Sequence, residues 1–232
     1  MKKFLKMLCA ALICATVFNG CSKNSDDKSI VKDADGNVYN TVTIGTQVWM
    51  VENLKTTKYR NGDAISGNSE DYEGMYYNYD NVANVNKYGR LYNWYAVKDS
   101  RNIAPKGWHV PTNSEWTTLS TYISTHLGTS GSEAKALAAA TDWLPSTELN
   151  AIGNDLMKNN SSGFTARPGG MLNFGNSFFR VGEIGYWWSS SEYDSDHAWS
   201  RFLTENSKVM DNSDYVGSAY KDYCYSVRCV KD

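Results

Sequence analysis

Cysteine is scarce where it could staple a fold. Of the five, Cys9, Cys14 and Cys21 fall at the start of the chain, leaving Cys224 and Cys229 for everything that follows. A disulfide framework is thereby excluded. Long apolar runs are also missing. The longest, Met7 to Phe18, is about a dozen residues, whereas a helix crossing roughly 30 Å of hydrocarbon needs about 20. There is no basic surplus either: beyond Lys2, Lys3 and Lys6 the chain holds 20 basic and 25 acidic residues. A slight acidic excess argues against a nucleic-acid partner. The three histidines, His109, His126 and His197, lie far apart with no second ligand at metal spacing, which argues against zinc. Ser189, Ser190 and Ser191 lack the flanking glycines of a nucleophile elbow. Arg167-Pro-Gly-Gly170 is not followed by the lysine and hydroxyl of a phosphate loop, and reads as a turn. Asp33-Ala-Asp-Gly-Asn37 lacks the distal glutamate of an EF-hand, so it too reads as a turn.

What is present begins with a leader. Met1 to Lys6 is short and basic, and the apolar run ends in Asn19, Gly20 and Cys21, the pattern of a signal peptide. Gly20 before Cys21 resembles the lipobox read by lipoprotein signal peptidase, although Phe18 and Asn19 depart from its usual residues. Residues 1–20 are therefore expected to be removed and Cys21 to carry lipid. The polar stretch from Ser22 to Lys28 has too little apolar content to fold, so 21–34 is expected to be a flexible tether. It resembles the acidic signals that send lipoproteins of Bacteroidetes to the outer cell surface.

The remainder, 35–232, is long enough for one core, and neither a fixed-period repeat nor an internal linker divides it. Two β-rich runs around Gly45-Thr46 predict a hairpin. Residues 55–90, rich in Asn, Asp, Gly and Tyr, read as a long loop region. Thr112-Asn-Ser-Glu115 is a capping box that leads into an apolar stripe of Trp116, Leu119, Ile123 and Leu127, with Gly128 as the stop. A shorter helix is expected from Ser132 to about Ala140, anchored by Leu137, and an irregular connection over 145–162. Strands are expected at 164–167, 178–181, 186–190, 198–204 and 225–231. Two central helices flanked by strands predict an α+β domain.

Six segments in order carry a resemblance: Val48-Trp-Met-Val-Glu-Asn-Leu54, Gly89-Arg-Leu-Tyr-Asn-Trp94, Pro105-Lys-Gly-Trp-His-Val-Pro-Thr112 with Glu115-Trp116, Gly163-Phe-Thr-Ala-Arg-Pro-Gly-Gly170, Tyr186-Trp-Trp-Ser-Ser190 and Ser226-Val-Arg-Cys-Val-Lys-Asp232. Together they resemble the Fibrobacter succinogenes major paralogous domain of lipoproteins from Bacteroidetes and Fibrobacteres. The resemblance implies a C-type lectin-like fold, with two helices, short antiparallel strands, paired first and last strands and a long loop region. It also implies kinship with formylglycine-generating enzymes, which hold copper between two cysteines five apart, as Cys224 and Cys229 are. Against that use, an extended 224–229 would place the two Cα atoms roughly 17 Å apart with side chains on opposite faces. Cys229 then reads as a small buried hydrophobe. Trp108 is expected to pack against the Trp116 stripe.

Aromatic residues make up 13% of the chain, and 16 Tyr and 8 Trp outnumber 7 Phe, so most of the large rings carry a polar handle suited to binding surfaces. On an exported, tethered chain this favours a non-enzymatic binding or adhesion module, with no cofactor. It would be anchored to the outer membrane by lipid and meet a glycan or a surface protein. The expected contact residues are Tyr72, Tyr76, Tyr77, Tyr79, Trp187, Trp188 and Tyr193. Adjacent strand residues face opposite ways, so at most one of Trp187 and Trp188 is exposed. Glu192, Asp194 and Asp196 form an acidic loop that could also converge on calcium. A copper oxidase using the two cysteines and a structural subunit of a surface assembly are the alternatives. If Cys21 carries the anchor, a palmitate analogue fed to expressing cells labels the wild-type chain and spares Cys21→Ala; equal labelling of both, or of neither, contradicts it.

Overall fold

A computed structural model describes residues 30–67, 75–77, 82–127, 131–173, 178–212 and 218–232. The chain opens with β1 (Val31–Lys32) and β2 (Val38–Tyr39), paired antiparallel around the turn at Asp33. Asp33 is saturated by that turn: its carboxylate accepts the amides of Asp35 and Asn37, the Asn37 side chain and the Tyr39 hydroxyl. Strand β1 thus lies inside the stretch read as tether. The expected hairpin follows as β3 (Thr41–Ile44) and β4 (Gln47–Met50), turning at Gly45 with φ 61°.

The region read as a long loop holds β5 (Ser66–Gly67), β6 (Met75–Tyr77) and α1 (Val82–Tyr88). Next come β7 (Leu91–Tyr92), α2 (Trp94–Lys98) and β8 (Trp108–His109). The capping box starts α3 (Asn113–Tyr122) as expected, with the Thr112 and Glu115 side chains exchanging bonds to each other's amides. Its continuation, 123–127, is a π turn. The wider winding shifts the stripe, so Trp116, Leu119 and Ile123 are buried while Leu127 turns outward. Gly128 lies outside the described residues. The second helix is α4 (Glu133–Leu137), only five residues long. Its buried Lys135 sends its ammonium to the carbonyls of Ala151, Asn154 and Asp155, tying the irregular connection to the helix.

The C-terminal half is β9 (Met171–Leu172), β10 (Phe178–Phe179), β11 (Ile184–Glu192), β12 (His197–Thr204), β13 (Asp211–Asn212), β14 (Ser218–Tyr220), β15 (Tyr225–Ser226) and β16 (Val230–Lys231). The main sheet runs β13-β12-β11-β15-β7-β6-β5, with β14 also paired to β12. A second sheet, β3-β4-β16-β8, joins the opening hairpin to the closing strand. The expected strand at 164–167 is reduced to one bridge, between Ala138 and Ala166.

The α+β, two-helix lectin-like expectation is overturned: the domain is mainly β, with a few short helices. The reason is length. The α-helices among the described residues span five to ten residues, whereas β11 and β12 run nine and eight and carry core on both faces. Among the described residues no helix is long and apolar enough to cross a membrane.

The expected closing strand is split. Val227, Arg228 and Cys229 lie between β15 in one sheet and β16 in the other, and the break turns Arg228 into the core. Its guanidinium donates to Asn53 Oδ1 from Nε (3.0 Å) and Nη2 (2.7 Å), and to the carbonyl oxygens of Phe164 and Thr165. The same Asn53 oxygen accepts the Trp187 indole N–H at 2.9 Å, and the Asn53 amide donates to the Tyr88 carbonyl. Gly89 closes against this amide: a Cβ there would meet Leu54 O at 2.7 Å, and its φ of 82° suits glycine. Burial pushes the guanidinium pKa down to about 9, so Arg228 remains charged at neutral pH.

Trp116 packs against Trp49 with ring centroids 4.8 Å apart and planes tilted by 41°, and Phe164 packs edge-on against both. Trp108 is buried in the other half of the core, not against the Trp116 stripe, because β8 sits at the edge of the second sheet. Replacing Asn53 leaves a buried charge and an indole N–H short of an acceptor. Asn53→Ala should cost about 3–5 kcal/mol in urea unfolding; a loss below about 1 kcal/mol, the size of a single ordinary hydrogen bond, would contradict this.

Candidate functional site

Neither tryptophan of the expected pair reaches solvent. Trp187 and Trp188 are fully buried, which corrects their assignment as ligand contacts. The cause is the position of β11 inside the main sheet, with a core cluster on each face. Trp187 turns to Asn53, and Trp188 donates to the Tyr92 carbonyl at 2.7 Å and stacks on Tyr225 at 4.5 Å. Tyr72 and Tyr79 lie outside the described residues. Tyr76 and Tyr77 sit in β6, opposite Tyr92 and Leu91, and their side chains are also outside the described residues. Tyr193 is where the expectation and the geometry meet: it is 42% exposed.

Tyr193 begins the turn between β11 and β12. Asp194 shapes that turn, its Oδ1 accepting the amides of Asp196 (2.9 Å) and His197 (2.8 Å) and facing His197 Nδ1 at 2.8 Å. The backbone bond from Asp196, followed by the His197 contact, holds the Asp194 carboxyl below its usual range. Alternation along β12 then buries Ala198 and turns His197 and Trp199 to one face. The Tyr193 ring meets Trp199 edge-on, with centroids 5.1 Å apart at 83°. On β14, Tyr220 pairs in register with His197, and the two rings lie 4.4 Å apart. Tyr220 is 47% exposed and touches Tyr223 edge-on. The outcome is a platform of rings, Tyr193, Trp199, His197 and Tyr220, on a turn and two paired strands.

The acidic loop beneath it is organised around a lysine. The Lys221 ammonium donates to Glu192 Oε1 (2.5 Å) and to the carbonyls of Asp194 (2.8 Å) and Ser195 (2.6 Å), 4.9 Å from the Trp94 ring centroid. Its backbone is pinned as well, by Lys221 N to Asp196 O and Trp94 N to Lys221 O. Glu192 and two loop carbonyls thus converge on a cation the chain itself supplies. Asp196 is exposed on the outer side of the turn. Among the described residues no three His, Cys, Asp or Glu side chains are grouped to hold a metal.

A family model described as the Fibrobacter succinogenes major domain matches residues 42–231, a span that takes in both the Arg228 centre and the ring platform. The chain belongs to that family. Comparison with curated proteins and with solved structures returned no match.

Within this Fibrobacter succinogenes major domain the two cysteines are buried free thiols in separate apolar clusters, Cys224 beside Leu91 and Leu172, Cys229 beside Met50 and Val227. Burial drives both thiol pKa values far up, which keeps them protonated and poor metal ligands. His109 is the other group that might have suggested chemistry. Its Nε2 faces Glu115 Oε1 at 2.7 Å and its Nδ1 faces Asp232 Oδ1 at 2.8 Å. With a carboxylate facing each nitrogen, the ring clasps α3 to Asp232, and the two acids favour its charged form.

Trp199, His197, Tyr220 and Lys221 were missed in the sequence. The usable signal was His197-Ala-Trp199, two rings around a small residue, which is how a strand with one outward aromatic face is written.

The clasp generates a pH dependence. Burial opposes the charged ring, but the bonds to Asp232 and Glu115 outweigh it and raise the His109 pKa above 6.5. Its contribution is complete below pH 6.5 and is lost as pH rises through the raised value. The Glu115 pKa is lowered from 4.5: burial raises it, but the Thr112 and His109 bonds prevail, so its contribution is lost as pH falls through that lowered value. The wild type should therefore lose thermal stability relative to His109→Gln as pH rises above 6.5; parallel melting profiles would contradict the clasp.

Proposed function

We propose that this domain is a non-enzymatic binding or adhesion module of the cell envelope, held at the outer membrane by lipid on Cys21 and displayed towards the outside, with glycans as its ligand class. The observation that carries this reading is the ring platform in which exposed Tyr193 and Tyr220 flank half-buried Trp199 and His197. Tyrosine and tryptophan offer large, stiff, amphipathic contact area at small entropic cost, and a sugar ring lays its C–H face on such surfaces while its hydroxyls reach polar neighbours. The support beneath is rigid, since the turn is held by Asp194 and by the Lys221 ammonium. The polar handles are present too, in the Tyr193 and Tyr220 hydroxyls and in the exposed Asp194 and Asp196.

A glycan array probed with the purified protein tests this. Binding should be lost in Trp199→Ala, which should unfold at a temperature close to the wild type. An array without any signal, or equal signals from wild type and Trp199→Ala, would remove the reading.

A further inference from the structure

The charge around the platform narrows the ligand. The segments that carry the rings, 192–199 and 218–223, contain four carboxylates, Glu192, Asp194, Asp196 and Asp222, and one lysine. That lysine is Lys221. Its side chain is 5% exposed, and its ammonium is enclosed by Glu192, two carbonyl oxygens and the Trp94 ring. His197, the remaining basic group, faces Asp194 at 2.8 Å. A further cation, Lys98, rests over the Trp94 ring at 5.9 Å on helix α2, away from the ring-bearing turn in sequence. Among the described residues, an arriving ligand therefore meets aromatic faces, hydroxyls and exposed carboxylates, and no free ammonium or guanidinium on the strands that would hold it.

Resting on the glycan reading of the platform, we propose that the site selects neutral and amine-bearing glycans and rejects sulfated or uronic ones. Hydroxyls and ammonium groups of a sugar donate to carboxylates. A sulfate or uronate would instead be set beside Asp194 and Asp196, with desolvation and like-charge repulsion and no free cation on these strands to offset them. The same arrangement makes calcium unnecessary, because the position where Glu192 and the loop carbonyls would gather a cation is filled by Lys221. Neutral sugars are held through stacking and hydroxyl bonds alone; amine-bearing sugars gain the attraction of the carboxylates.

The test is equilibrium binding of the full chain, in EDTA, to three soluble oligosaccharide probes: a chito-oligosaccharide, its deacetylated amine form, and a polyuronate of the same length. The amine form should bind at least about tenfold tighter than the polyuronate, the combined effect of a few exposed charges. This ratio should shrink as salt rises. In the double variant Asp194→Asn with Asp196→Asn, checked for an unchanged melting temperature, it should shrink towards one. A polyuronate that binds as tightly as the amine form, or a signal that needs added calcium, overturns the charge selection while leaving the glycan reading standing. If no probe binds at any salt, the glycan reading fails and the selection with it.

Discussion

The structure depends on one buried cation without a carboxylate partner. Arg228 is fully enclosed, and its charge is met by the Asn53 side-chain oxygen, the carbonyls of Phe164 and Thr165 and the faces of the Phe164 and Trp187 rings. A guanidinium placed in that environment is costly unless each N–H finds an acceptor, so the four chain segments that supply the acceptors, the rings and the guanidinium itself are fixed relative to one another. They come from the opening hairpin, the loop after the irregular connection, the central strand β11 and the closing segment. Residues far apart in sequence thereby converge on one point, which gives a mainly β domain with short helices a unique packing that burial of apolar surface alone would not specify.

This centre explains why the most recognisable sequence segments are architectural. Asn53, Gly89, Phe164, Trp187 and Arg228 each belong to one of the six segments that carried the resemblance, and each sits in or against the Arg228 centre. Trp116 and Trp188 extend the pattern: the Trp116 indole reaches the Trp188 carbonyl, and the Trp188 indole reaches the Tyr92 carbonyl. Chemistry that looked suggestive in isolation, such as two cysteines or a histidine between acids, is absorbed by the frame. The ring platform lies at the turn end of the β11–β12 hairpin, where Tyr193 meets Trp199 and His197 meets Tyr220.

The sequence carried the local part of this well. Thr112 and Glu115 announced α3, Gly45-Thr46 announced the first hairpin, and the strands around Tyr186 and Ala198 were visible from their β-branched and aromatic content. What it did not carry was non-local. Helices α1 and α2 are too short for a 3.6-residue period to register, so the region around them read as loop. The closing strand looked continuous because nothing in Val227-Arg-Cys229 signals a break; the break exists because Arg228 is drawn to Asn53. The two-helix lectin-like class came from resemblance, and the brevity of α4 together with the extent of β11 and β12 displaced it. Trp187 and Trp188 were misplaced because adjacent residues of a central strand can both be buried when each face of the sheet is covered.

The central claim is a division of labour among rings: those around Arg228 hold the fold, and those at the tip of the β11–β12 hairpin meet the ligand. Indole N–H resonances of the eight tryptophans report on both groups at once. On titration with a binding oligosaccharide, Trp199 should shift while Trp49, Trp116, Trp187 and Trp188 stay in place. Shifts confined to Trp187 or Trp188, with Trp199 unmoved, would contradict the division.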